Sequence, residues 1–173
     1  MKMTTAISAL LLGLSSDLNA QATVSGPRAG AWGAEVSFGG ATGGALLRFR
    51  NDRSAWLLGL AGQVAHEGRD DATLAVVGAR LGIRSLRSPG SATRPIVGGG
   101  IVGSISQFGS NQKSWDAGLY GEFGIARFFG ESFSVGATSE LQARRTERRF
   151  LSQRSIETGI VFDVVRVVAA VYF

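Results

Sequence analysis

The chain has 173 residues, with 18 Lys and Arg against 13 Asp and Glu, a formal net charge of +5 and no Cys. This length suits one domain of ordinary size, and the absence of Cys excludes a disulfide framework. Hydrophobic residues make up 45% of the chain, yet no stretch approaches the ~20 continuous apolar residues of a membrane-spanning helix.

The first 22 residues have the order of a secretory signal peptide. Lys2 precedes the short apolar run AISALLLGL at 6–14, and small residues follow at Ala20 and Ala22. A positive start, a short apolar run and a small-residue site are typical of a segment cleaved during export. We expect cleavage after Ala20 or Ala22, which makes 1–22 the signal and 23–173 the mature domain. The alternative is a short buried N-terminal helix.

Period-2 alternation of apolar and polar residues dominates the chain after residue 25. The clearest segments are SWDAGLYGEFGIA at 114–126 and SFSVGATSELQAR at 132–144. Successive side chains of a strand face opposite sides, so each segment predicts a strand with one apolar and one polar face. The whole pattern predicts eight strands, at about 30–38, 44–50, 54–66, 72–85, 94–107, 114–128, 132–145 and 156–173.

The polar faces of these strands carry charges of both signs. By alternation they collect Glu35, Arg48, Arg50, Arg80, Arg84, Asp116, Glu122, Glu140 and Arg166. Side chains fill the interior of an eight-stranded barrel, and buried charges there must be paired. The near balance of acids and bases therefore favours an inward polar face and an outward apolar face, as in a membrane barrel. The alternative is a set of scattered charges on a solvated surface.

The last predicted strand ends on VRVVAAVYF at 165–173. One face of it carries Val165, Val167, Ala169, Val171 and Phe173. The eleven residues from 163 to 173 match the ~9–11 residues with which a tilted strand crosses the hydrocarbon layer. Because open sheet edges are not tolerated in lipid, we expect this strand to pair with the first one and close the barrel.

With its signal segment, eight amphipathic strands and terminal VYF, the chain resembles the small outer-membrane β-barrels of diderm bacteria, the OmpA-like and OmpX-like class. The resemblance implies an all-β fold, an eight-stranded antiparallel up-and-down transmembrane β-barrel in the outer membrane, monomeric and with both termini on the periplasmic side. It also implies that the barrel assembly machinery reads the terminal residues, which are Val165, Val167, Ala169, Val171, Tyr172 and Phe173.

The sequence offers no convincing catalytic or metal-binding set. His66 is the single His, and no Ser lies at a strand spacing that would present a nucleophile beside it. The run EGRDD at 67–71 lacks an ordered spacing of metal ligands and is expected to be an acidic turn. We therefore expect no enzyme activity, no cofactor and no metal. The basic charge lacks an aromatic platform, so nucleic acid is not an expected partner.

Five basic residues cluster in ARRTERRFLSQR at 143–154, where the last outward loop is expected: Arg144, Arg145, Arg148, Arg149 and Arg154. Such a patch can bind lipopolysaccharide phosphates through forked guanidinium contacts, or it can be a solvated hairpin tip. The predicted role is structural or surface-interacting, in contact with outer-membrane lipid. The alternatives are a small-solute passage or lipid-binding barrel and, third, a soluble secreted lipocalin-like barrel, which the charged inward faces disfavour.

Overall fold

The computed structural model describes residues 26–39, 43–67, 72–109, 112–150 and 153–173. The strands are β1 Trp32–Phe38, β2 Gly43–Asn51, β3 Ser54–Glu67, β4 Ala72–Leu86, β5 Thr93–Phe108, β6 Gln112–Phe128, β7 Phe133–Phe150 and β8 Gln153–Tyr172. Each strand pairs antiparallel with the next, and β8 pairs with β1, which closes the sheet into an up-and-down barrel. The predicted fold class is confirmed. The predicted signal segment, 1–22, lies outside the described residues.

No helix in the described ranges is long and apolar enough to cross a membrane.

β7 and β8 are longer than the sequence pattern predicts. Their pairing continues to Phe150↔Gln153, so most of the basic segment assigned to a loop belongs to these two strands. The register shifts between Thr138 and Glu140, which pair with Arg166 and Asp163. β8 therefore carries one extra residue at this point, a β-bulge that bends the strand while pairing continues beyond it.

Alternation along each strand separates the exterior of the barrel from its interior. On β6, Trp115, Leu119 and Phe123 are exposed, whereas Tyr120 and Glu122 are buried. On β8 the exposed side chains are Val165, Val167, Val171 and Phe173, and the buried ones between them are Arg166, Val168, Ala170 and Tyr172. The exterior of the barrel is therefore an apolar surface, as the sequence pattern predicts.

Among the described residues, apolar side chains fill the interior at one end of the barrel. We call this the closed end; it carries the turns at 52–53, 87–92 and 129–132, and the opposite end is the open end. The cluster that fills it is called the apolar plug, and it consists of Ala45, Leu47, Phe49, Ala55, Leu57, Leu86, Ile96, Ala126, Phe128, Ala170 and Tyr172.

Tyr172 holds the centre of the apolar plug. Its ring meets Phe49 edge-on at a centroid distance of 5.5 Å and stacks on Phe128 at 5.9 Å. Its hydroxyl lies 2.7 Å from the hydroxyl of Ser134, so the one polar atom of this buried ring is hydrogen-bonded. Arg94 lies over the ring of Phe128, with its Cζ atom 4.9 Å from the centroid of that ring.

Glycine allows neighbouring strands to approach closely inside this narrow barrel. A Cβ atom on Gly118 would lie 2.1 Å from the carbonyl oxygen of Ala143, and one on Gly124 would lie 2.2 Å from that of Ala137. Both obstacles are backbone atoms of β7, which cannot move aside like a flexible side chain. Gly118 and Gly124 are therefore required by the close approach of β6 and β7.

The last residue joins β8 to β1 through two backbone hydrogen bonds. The N–H of Phe173 donates to the carbonyl of Trp32, and the N–H of Trp32 donates to the carbonyl of Phe173, each at 2.9 Å. Deleting Phe173 should therefore lower the free energy of unfolding by about 1–3 kcal/mol, because both bonds are lost. Urea titration of the protein refolded into lipid vesicles measures this loss.

Phe173→Ala is the matched control, because it keeps both backbone bonds and removes only the ring. We expect it to unfold in vesicles at nearly the wild-type urea concentration. A deletion variant as stable as the wild type would contradict the closing role. Because the vesicles contain no assembly machinery, comparing heat-modifiable barrel in cells tests separately whether the ring acts in assembly.

Candidate functional site

Six charged side chains form a layer across the interior, on the open-end side of the apolar plug. We call it the ionic layer; its members are Glu35, Arg80, Arg84, Glu122, Glu140 and Arg166. They come from β1, β4, β6, β7 and β8, and no side chain among them is more than 12% exposed. Three arginines face three glutamates, so the layer is formally neutral.

Arg84 connects two carboxylates on opposite sides of the interior. Its Nε and Nη2 atoms donate to the two carboxylate oxygens of Glu122 at 3.0 and 2.8 Å. Its Nη2 atom also donates to Glu35 at 3.1 Å, and its Nη1 atom donates to the other oxygen of Glu35. Both carboxylates are therefore bound in the forked geometry that makes guanidinium pairs strong and specific.

Glu140 has two cationic partners. Arg80 donates to its carboxylate at 2.9 Å, and Arg166 donates to the same oxygen from β8. Arg80 also approaches Glu35, at 3.8 Å between Nη2 and Oε1. Arg80 therefore links the Glu140 cluster to the Arg84 cluster, and the six side chains form one connected network.

The β6–β7 register explains why arginines are needed at this level. Glu122 and Glu140 are direct cross-strand neighbours, and like charges in that position destabilise a sheet. Arg84 and Arg80 lie four residues apart on the inward face of β4. Of this acidic pair, Glu122 accepts from Arg84 and Glu140 accepts from Arg80. The alternation along β4 thus places an arginine next to each of these two glutamates, across the lumen.

A further ion pair lies nearer the open end. Nη1 of Arg144 donates to Asp116 at 3.0 Å, and the hydroxyl of Ser104 donates to the other carboxylate oxygen of Asp116. These side chains are more exposed than the ionic layer, at 27% for Arg144 and 14% for Asp116. Asp116 therefore lines the interior, but outside the six-membered network.

The interior is nearly solid below the ionic layer and hollow above it. Between Glu35, Arg84 and the apolar plug there is a cavity of only about 10 Å³, roughly the space of one water molecule. On the open-end side of the layer there is a cavity of about 180 Å³, bordered by Arg80, Glu140 and Arg166. The layer and the plug together close the floor of this larger cavity.

The prediction that Arg48 and Arg50 lie in the lumen is wrong. Both are exposed on the exterior of β2, where Arg48 lies 4.9 Å from the ring of Trp32 and Arg50 lies 5.9 Å from that of Trp56. The inward positions of β2 hold Leu47 and Phe49 of the apolar plug. Alternation distinguishes two faces of a strand, but near the closed end the apolar face points inward.

The structure divides the five arginines of the basic segment among three locations. Arg144 points into the barrel, which contradicts its assignment to the outer surface. Arg148 has the same parity as Arg144 and lies on the same face of β7 nearer the hairpin tip, 3.4 Å from Glu157 of β8, so its assignment to the outer surface is also wrong. Arg145, Arg149 and Arg154 occupy the outward face of β7 and β8, and we call these three residues the outer basic patch. The parity of Arg144, shared with Glu140 and Gln142, is the sequence signal that would have placed it inside.

Glu147 is held between two members of the outer basic patch. Arg149 donates to it at 2.9 Å and Arg154 at 2.6 Å. These hydrogen bonds, that of Arg154 foremost, keep the pKa of Glu147 below its usual range. Because the folded-state pKa is depressed, the stabilisation is present above the unfolded-state pKa and is lost as the pH falls through the folded-state value.

The remaining predictions concern the terminal residues, His66 and the acidic turn. Val165, Val167, Val171 and Phe173 are exposed on the exterior of β8, Ala169 is half-buried there, and Tyr172 belongs to the apolar plug. Their recognition by assembly machinery stays a prediction. The side chain of His66 and residues 68–71 lie outside the described part of the structure. Within the described part, no group of three acidic, His or Cys side chains is placed to hold a metal ion.

Comparison with protein-family models and with curated protein sequences finds no match. The structure is similar to the N-terminal β-barrel domain of Pseudomonas aeruginosa OprF, with a TM-score of 0.50 and 15% identity; the match covers 84% of this chain and 98% of that domain. Acinetobacter baumannii CarO aligns with a TM-score of 0.39 and 13% identity, covering 84% of this chain and 97% of CarO. The similarity to OprF supports the barrel fold.

Replacing Glu122 by Ala should lower the free energy of unfolding by about 3–5 kcal/mol, because breaking a buried ion pair leaves an uncompensated charge. Glu131→Ala is the control, since Glu131 pairs with Arg28 at 3.0 Å on the surface and exposed pairs contribute about 0–1 kcal/mol. Urea titration in vesicles compares the two. Equal losses would show that the ionic layer behaves as though solvated.

Proposed function

We propose that the protein is a monomeric outer-membrane barrel of a diderm bacterium that has a closed interior and binds lipopolysaccharide phosphates at its outer rim. One observation carries the proposal: the order of side chains along the outward face of β7 and β8. The apolar cross-strand pair Ala143↔Ile160 is followed towards the hairpin tip by Arg145, and then by the pair Arg149↔Arg154.

The apolar exterior of the barrel supports the proposal that lipid surrounds it. Val77, Ile105, Leu119 and Ile160, on four different strands, are each more than 60% exposed. Soluble monomers rarely expose contiguous apolar surface on this scale. Transmembrane barrels carry an outward apolar band about 25 Å tall, with aromatic residues at its borders. Trp32, Trp56 and Phe173 of this chain stand on the exterior near the closed end.

The outer basic patch lies where the apolar exterior stops. Arg149 and Arg154 are direct cross-strand neighbours whose side chains are 66% and 57% exposed. Glu147 neutralises one of these two charges and holds both guanidinium groups in place. The remaining positive charge, together with Arg145, suits a phosphate group, which guanidinium binds in a forked geometry.

The interior argues against the alternative of small-solute passage. The apolar plug and the ionic layer lie one above the other across the lumen, and the space between them holds about 10 Å³. A hydrated ion cannot pass such a constriction unless the buried charge pairs separate. Lipid or surface contacts are therefore better supported than transport along the barrel axis.

The closed interior predicts that the protein does not conduct ions in a planar bilayer. Wild-type protein that has inserted should show no stable, reproducible conductance, because the ionic layer and apolar plug leave no continuous water path. The matched variant is Arg84→Ala, which should allow brief openings if the barrel remains folded. Steady openings of the wild type would overturn the closed interior and favour the passage alternative.

The outer basic patch predicts a selective loss of lipopolysaccharide binding. Replacing Arg149 and Arg154 together by Ser should weaken the binding of fluorescent lipopolysaccharide to the refolded protein by about tenfold or more, because two charge-assisted contacts are removed. Fluorescence anisotropy in detergent micelles measures the affinity.

Arg148→Ser is the control, since Arg148 lies on the same strand but on its other face. It should leave the affinity within about twofold of the wild type. Binding that is unchanged in the double variant, or reduced equally in the control, would overturn the role of the outer basic patch. Heat modifiability on gels verifies that each variant is folded.

A further inference from the structure

The barrel wall is uneven at the open end. β1 has 7 residues and β8 has 20, and their described Cα pairings run only from Gly33↔Tyr172 to Phe38↔Val167. On the other side of the β1–β2 hairpin, the described pairing of β2 with β3 stops at Gly43↔Ala61. β3 itself continues to Glu67.

Two strand edges therefore face each other above the β1–β2 hairpin. They are 153–166 of β8 and 62–67 of β3, and among the described residues no strand pairs with either edge. We call the space between them the side opening. Among the described residues, its position in the wall connects the interior to the surroundings by a route that does not run along the barrel axis.

The larger cavity extends to this side opening. Its lining includes Gly43, Gly62, Gln63 and Arg166. Gly43 forms the last described pair of β2 with β3, and the other three are the first residues of β3 and β8 beyond the described pairings. The cavity of about 180 Å³ is thus bounded by the ionic layer below and by the side opening laterally.

Four exposed apolar side chains lie around the side opening. Phe38 at the end of β1 is 54% exposed, and Val64 of β3 is 76% exposed. On β8, Val161 and Phe162 are 50% and 60% exposed, although Val161 has the parity of the inward face. An apolar border at the height of the apolar exterior would meet hydrocarbon chains rather than water.

The cavity has one apolar side and one side lined by charged residues. Ala61, Val76 and Val102 line it from β3, β4 and β5, and Arg80, Arg144 and Arg166 line it together with Glu140. Arg144 uses Nε and Nη1 for bonds to Gln142 and Asp116. In the described part of the chain its Nη2 atom donates to no protein acceptor, so a donor remains for an anionic group.

We propose that this cavity binds a single-chain amphiphile with a carboxylate head, taken up from the surrounding lipid through the side opening. The head lies at Arg144 and the chain runs along Ala61, Val76 and Val102. The volume is close to that of an engineered apolar cavity, about 150 Å³, that accepts benzene, so a medium-length chain fits with its end in the side opening. This site is independent of the outer basic patch.

Photolabelling tests the site directly. The wild-type protein is refolded into dilauroyl phosphatidylcholine vesicles that contain decanoic acid carrying a diazirine midway along its chain, and labelled residues are mapped by mass spectrometry. We expect labels on the inward residues of β3–β5 and competition by unlabelled decanoate. A decylamine probe of the same length should label these residues about tenfold less, because its ammonium group cannot accept a hydrogen bond from the Nη2 atom of Arg144.

Val102→Phe fills the cavity, and Ile101→Phe places the same ring on the exterior of the same strand, where Ile101 is 58% exposed. Inward labelling should fall about tenfold in the first variant and stay within about twofold in the second. Arg144→Met should also reduce it. The double variant Arg149→Ser with Arg154→Ser should label like the wild type, which separates this site from lipopolysaccharide binding.

Labels confined to exterior residues would overturn the proposal, as would equal labelling of Val102→Phe and Ile101→Phe. If Val102→Phe does not show a heat-modifiable folded form, the site is tested in the wild type by competition between the probe and unlabelled decanoate. Inward labelling that excess decanoate does not reduce would then be non-specific, and the proposal would be wrong.

Discussion

The structure depends on the pairing of charges that a narrow closed barrel cannot hydrate. Arg84 illustrates the constraint, because it is 5% exposed and donates to two carboxylates from β1 and β6. An unpaired ion in its place would destabilise the barrel by several kcal/mol. The same requirement places Arg80 and Arg166 on Glu140. Strands that are far apart in sequence are therefore held in one register around the lumen.

The division of the interior into an apolar plug and an ionic layer decides what the barrel can do. The plug is centred on Tyr172, the second residue from the end of the chain, so the terminal strand both closes the wall and fills the floor. Above the floor the interior is hollow, and beside this hollow the described pairings of β1 with β8 and of β2 with β3 stop. As far as the described residues show, the barrel is closed along its axis and open at the side opening, a shape that suits contacts with lipid better than conduction.

The exterior carries a second boundary, where apolar side chains give way to arginine along β7 and β8. The bulge near Thr138 allows β8 to continue past the shorter strands, and the continued hairpin presents Arg149 and Arg154 on one face. Because Glu147 holds both guanidinium groups, the two like charges stay adjacent instead of repelling each other apart. The extension of two strands thus converts a basic loop sequence into an ordered surface.

The sequence by itself determined the eight strands, the closure by the last strand and all six members of the ionic layer, because period-2 alternation reports which side chains share a face. It could not determine which face is inside at each height of the barrel. Arg48 and Arg50 were placed in the lumen for that reason, although the apolar plug takes the inward positions beside them. Tertiary structure also decided that Arg144 meets Asp116, because this contact depends on strand register and on the length of β7, which local patterns do not encode.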